Sequence, residues 1–262
     1  GPVPDGDLRL LDRTWRQSGS EADEAAFLCA RVRAGLLTLE ALERAETLGH
    51  TAATLALGAL VEMPHKKAGK RGDRGKRKTR RPTNLAAGED HHRGVFWVIG
   101  LEGWGREACV RAAVALARLT LPVVARLPHE ARLALRAIEA AEAWVVDPTA
   151  DAERRAAQQA GLVTGAATPA GAAAACARLA AEAASDVVAE RGPGVDFFGG
   201  DLDAARRMGA GEAALDAASS AIRAGFDAGQ IRKALCADLV PWLLDDFEPV
   251  KMRVRNREEV AP

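Results

Sequence analysis

The sequence predicts an all-α protein, and three observations carry that expectation. Apolar residues make up 48 % of the 262 positions, yet aromatics make up only 4 %, so the core must be built from Ala, Leu and Val. Alanine and leucine are strong helix formers, and small side chains suit helices that approach closely. Apolar positions also recur at three- and four-residue spacings over most of the chain, and Ser, Thr or Asp stand before many of these stretches with Gly after them. A chain of this length has room for one large helical domain or two small ones.

The elements follow in order. Gly1-Pro2 reads as the remnant of a cleaved tag and is set aside. Leu8, Leu11 and Trp15 mark an initial helix that donates Trp15 to the core. Ser20 caps a second helix with the stripe Ala25, Leu28, Cys29 and Val32, ended by Gly35. Thr38 opens a third, with Leu39, Leu42 and Ala45 inward and Gly49 at its end; a further helix spans about His50 to Val61. Connections this short fit neighbours in a bundle. An N-terminal subdomain of residues 3–61 results.

From residue 62 to 94 the periodicity stops and a basic linker is expected. Residues 66–81 carry ten cations, Lys66, Lys67, Lys70, Arg71, Arg74, Lys76, Arg77, Lys78, Arg80 and Arg81, against one Asp. This ribbon has a charge of +9 and the rest of the chain −9, so the net charge of zero conceals an acidic body with one basic strip. These cations are the candidate contacts for a polyanion, with an affinity that salt would weaken. The ribbon has no aromatic residues for bases to stack on, and its alternating Gly and Lys/Arg resist helix formation. A tether between helical bodies is the expected role and weak nucleic-acid contact the alternative.

A C-terminal subdomain of residues 95–250 follows, then a charged tail of 251–262. Val95 to Gly105 reads as a packed loop, and residues 106–120 as a helix. The helix Pro128–Val146 should bury Ala134, Ile138, Ala141 and Val145, expose Arg132, Arg136 and Glu139, and seal its edge with Trp144. Asp147-Pro148 and Thr168-Pro169 each read as N-cap plus first helical residue. Gly-Pro-Gly at 192–194 and Gly-Gly at 199–200 break the chain before helices at 211–224 and 227–244. Asp227 and Gln230 form a capping box, and Pro241 should kink or end the last helix. The helix–turn–helix rhythm fits bundle or HEAT-like packing of two subdomains.

No catalytic or metal constellation assembles. Cys29, Cys109, Cys176 and Cys236 lie far apart on apolar helical stretches and read as buried reduced thiols. His91-His92 follows Glu89-Asp90 without a distant Cys or His partner, so a polar loop is the expected role. The Gly-rich GPGVDFFGGD follows a helix rather than a strand and lacks the context of a phosphate loop. No catalytic residue, metal ligand or cofactor is therefore expected. No uncharged apolar run reaches the ~18 residues of a membrane span. A cytoplasmic protein without a membrane partner is expected.

The stretches LEGWGREACVRAAVALARLTLPV (101–123) and ALRAIEAAEAWVVDP (134–148) resemble the immunity proteins of bacterial polymorphic toxin systems, an all-helical, alanine-rich group. The matching positions are Arg136, Ala140 and, one turn on, Trp144. Residues 23–58 resemble small helical modules at the front of bacterial multi-domain proteins. The resemblance implies a non-enzymatic adaptor or immunity-like binder whose partner is a bacterial protein such as a toxin or effector. The alternative is a nucleic-acid-associated accessory protein that uses the ribbon.

Overall fold

The computed structural model describes residues 5–61, 93–165, 167–190 and 200–245. Among them are ten α-helices, two 3-10 helices and no strand, so the all-α class holds. The ribbon cations from Lys66 to Arg81, His91-His92 and the Gly-Pro-Gly break lie outside the described residues. The described helices fall into two units: residues 5–61 together with 240–245, the last turn of the final helix, and residues 93–239.

In the first unit, α1 (Asp5–Ser18) and α4 (Thr51–Val61) both pack on α2 (Glu21–Arg33), and α3 (Leu39–Thr47) packs on α4. The hydroxyl of Ser20 accepts from the backbone N–H of Ala22 and Asp23, and Thr38 Oγ1 accepts from that of Ala41. These contacts satisfy N–H groups that the first turn leaves without partners. Gly35 and Gly49 close α2 and α3 at φ +75° and +88°, the left-handed region that suits glycine. The core gathers Leu28, Cys29, Leu42, Ala53 and Ala56, with Leu244 of the last turn. Leu39, expected inward, is 48 % exposed; Ala41 takes the buried place beside Leu42 and Ala45.

In the second unit, α8 (Pro169–Ala183) is buried nearly all round by α5 (Arg106–Val124), α6 (Pro128–Val146), α7 (Ala150–Leu162) and α9 (Leu202–Arg223). A helix with nine alanines in fifteen residues can sit at such a centre, because its charged side chains, Arg178 and Glu182, pair with each other at one edge and its neighbours come close elsewhere. Contacts of α5 with α8 and α9 as well as α6 close the helices into a bundle. A solenoid would restrict each unit to its chain neighbours. Polar side chains stitch the interior: Thr120 Oγ1 donates to Ala173 O at 3.4 Å and Cys176 Sγ to Ala217 O at 3.3 Å.

Several local expectations change. Residues Arg93–Trp104 form a 3-10 helix rather than a loop. Val95, Val98 and Leu101 are buried at the three-residue spacing such a helix aligns on one face. The cap of α7 is Thr149, not Asp147, which instead ends α6; the Thr149 N–H turns back to Asp147 O at 2.8 Å, displacing the helix start past Pro148. Helix α5 continues to Val124 through Pro122. Helix α9 begins at Leu202, capped by Asp201, nine residues before the expected start. Its Gly209 is a close-contact point: a Cβ there would lie 2.0 Å from Val188 O. Helix α10 (Ala228–Asp245) runs through Pro241 and opens with the reciprocal capping box, Gln230 N–H to Asp227 Oδ1 at 2.8 Å and Asp227 N–H to Gln230 Oε1 at 3.0 Å. No described helix is long and apolar enough to cross a membrane.

Candidate functional site

Two places gather side chains that packing alone does not require, one in each unit. The first is an open cleft of about 390 Å³ in the first unit. Its floor is the stacked pair Trp15 and Phe27, with ring centroids 5.6 Å apart at 22°. The spacing follows from the helices: α1 presents Leu8, Asp12 and Trp15 within two turns toward α2, which presents Phe27 and, one turn later, Arg31. The Arg31 guanidinium lies 5.7 Å from the Phe27 centroid and donates to Asp245 at 3.1 Å. Arg16 donates to Asp12 at 2.8 Å, a pairing that raises its already high pKa. Leu36, in the turn after α2, closes one wall and is 62 % exposed. Trp15 is thus only half-buried, and the aromatic pair serves both core and surface.

The second place is a buried charge cluster around Arg106. Its guanidinium donates to Glu153 Oε1 at 2.5 Å, Ser185 O at 2.6 Å and Ala183 O at 3.2 Å, and lies 4.6 Å from the Trp144 ring centroid. Arg206 approaches the other Glu153 oxygen at 3.5 Å. Burial pulls the Arg106 pKa down while Glu153 opposes the shift. The arrangement caps the C-terminal end of α8 and joins α5, α6, α7 and α9. It also corrects the α6 face. Trp144, expected at the edge, is 2 % exposed, and Val145 is only half-buried. The guanidinium over the indole turns Trp144 inward, and with every polar atom of Arg106 already engaged, this cluster is structural.

None of the four cysteines forms a disulfide. Cys29, Cys109 and Cys176 are buried and Cys236 is half-buried, and burial raises all four pKa values, that of Cys176 to about 12. Among the described residues no group of three or more His, Cys, Asp or Glu side chains could hold a metal ion. The sequence pointed to the ribbon for binding and missed the cleft. Its available signal was Phe27 followed one turn later by Arg31 on the helix paired with Trp15. Compared with known protein families, with curated proteins and with solved structures, the chain matches none.

Proposed function

We propose that the protein is a non-enzymatic protein–protein interaction module, an adaptor or immunity-like binder of a bacterial protein partner, and that it binds through the cleft of the first unit. One observation carries this: an open cleft floored by Trp15 and Phe27 with Arg31 beside them. Trp and Arg are enriched among the residues that dominate interface energetics, Trp through its large rigid contact area and indole N–H, Arg through the planar five-donor guanidinium. The pairing of Arg31 with Asp245 holds that guanidinium in place before a partner arrives. Preorganisation of this kind lowers the entropic cost of association.

The test is affinity capture from nuclease-treated bacterial lysate with the full chain as bait. Leu36 is exposed and sits in a turn, so Leu36→Asp should leave the melting temperature unchanged while abolishing capture. Capture that survives Leu36→Asp argues against the cleft. A captured set that disappears on nuclease treatment instead favours nucleic-acid association through residues 66–81.

A further inference from the structure

We infer that His50 is a proton-operated cap: its neutral imidazole fastens the first turn of α4, and a second proton on the ring loosens that turn. His50 immediately precedes α4, and its Nδ1 accepts from the backbone N–H of Ala53 at 3.3 Å. This is the contact an N-cap side chain makes with the third residue of a helix, a place that Asn, Asp or Ser usually fills. The other ring nitrogen, Nε2, lies 3.3 Å from Glu24 Oε1 on α2, and the two side chains are only 21 % and 17 % exposed. One ring thus caps α4 and ties it to the helix beside it.

The two contacts fix the tautomer. A nitrogen that accepts a hydrogen bond holds a lone pair, so the proton of the neutral ring is on Nε2, where it donates to Glu24. Imidazole is the side chain that takes up a further proton between about pH 5 and 8. That proton goes to Nδ1 and sets donor against donor at the Ala53 N–H. The positive end of the helix disfavours the cation as well. Glu24 acts the other way, because its contact with Nε2 becomes an ion pair. Protonation therefore keeps the α2 contact and loses the α4 cap.

Little else competes for the ring. Helix α4 has no charged side chain, and the helices packed on it are α2 and α3. The other charged groups on the adjoining turns are Glu21, Asp23, Glu43, Arg44 and Glu46. Of these, Asp23 accepts from Ser18 and Arg44 donates to Glu40, and none pairs with His50. The loosening is confined to one turn. The Ala53 N–H keeps a second acceptor in His50 O at 3.1 Å, and Cys29 Sγ donates to Ala56 O at 3.3 Å, which holds the next turn on α2.

The experiment is solution NMR on the full chain. Long-range proton–nitrogen spectra at about pH 8 should show the His50 ring, assigned by its loss in His50→Asn, protonated on Nε2 and bare on Nδ1. The amides of Ala53 and Thr54, corrected for the intrinsic pH dependence of exchange, should exchange about three- to fivefold faster at about pH 5 than at about pH 8. The midpoint of that change should coincide with the titration of the His50 ring. His50→Asn supplies a capping oxygen that does not titrate, so both amides should stay protected across the range. Glu24→Gln removes the carboxylate that favours the cation and should move the midpoint to lower pH. A ring protonated on Nδ1 at the higher pH, parent exchange that does not change with pH, or a pH dependence that persists in His50→Asn overturns the proposal. The tautomer and the parent exchange rates need no substitution, so they decide the matter even where a variant is unstable.

Discussion

Replacing Arg106 by Met tests whether the buried cluster of the second unit holds its helices together. Methionine keeps most of the stem that packs on Trp144, so the change removes the charge and the hydrogen bonds with little loss of volume. The guanidinium is about one-tenth exposed and its three acceptors lie at 2.5, 2.6 and 3.2 Å. Without it, Glu153 keeps a single cation, Arg206, at 3.5 Å, and the carbonyls of Ala183 and Ser185 lose their donor. Removing one partner of a buried ion pair costs about 3–5 kcal/mol, mostly because the other charge is stranded. The cation–π contact contributes roughly 1 kcal/mol more. Urea unfolding followed by far-UV circular dichroism should therefore show Arg106→Met destabilised by about 4–6 kcal/mol. Arg106→Met combined with Glu153→Met removes the stranded charge along with its partner. The double variant should then be less destabilised than the single one, with a coupling of about 1–3 kcal/mol. A loss below about 1 kcal/mol for the single variant, or strictly additive losses, would refute the account.

Three further outcomes follow from the packing and the thiols. Gly209→Ala should destabilise by about 1–3 kcal/mol, because the new methyl group meets Val188 O at 2.0 Å, whereas Gly100→Ala, which meets nothing within 4 Å, should stay within about 1 kcal/mol of the parent in the same denaturation assay. With a thiol reagent at pH 8, Cys236 should react first in the native protein and Cys109 and Cys176 only on unfolding, since the latter two are fully buried and their pKa values raised; early labelling of Cys176 would contradict this burial. Asp238 has a raised pKa from burial, partly offset by Arg111, so the native state binds that proton more tightly than the unfolded chain. Its contribution is therefore lost as pH rises from the unfolded carboxylate value through the higher native one. Asp238→Asn should remove this component, so a variant-minus-parent melting difference that does not change across that window would be the contrary result.

Much of the secondary structure was legible because its determinants are local. Ser20, Thr38, Thr168 and the Asp227–Gln230 box cap the helices the sequence assigns to them. Misplaced boundaries came from residues whose meaning depends on something distant. Gly209, just before the expected start at 211, is the residue type that fits beneath the Val188 carbonyl in the bundle, and α9 runs through it from Leu202. Val95, Val98 and Leu101 match neither the helix period of 3.6 nor the strand period of 2, and only three residues per turn accounts for all three being buried. Trp144 was placed at the edge of α6 because the wheel sees only its own helix. Its depth is decided by Arg106 of α5, an arginine in a first helical turn, where the helix dipole disfavours a cation unless other groups hold it.

The same distinction explains why the cleft escaped a reading that found its parts. Periodicity assigns Trp15 to the apolar side of α1, and that is correct, since Leu8 on the same side is buried. It says nothing about how completely a neighbouring helix covers that side. In the first unit α4 packs on α2 and α3 packs on α4, while the seam between α1 and α2 keeps Trp15 and Phe27 half-buried. The charge that holds Arg31 over Phe27 comes from Asp245, 214 residues further along the chain, so no local pattern could announce it. A half-covered aromatic pair next to a guanidinium held in place has two consequences at once: it leaves apolar area open on the surface, and it fixes a charge beside that area. The basic ribbon stands out in the sequence by charge alone. The cleft is defined by contacts, and contacts supply the shape that specific recognition requires beyond attraction.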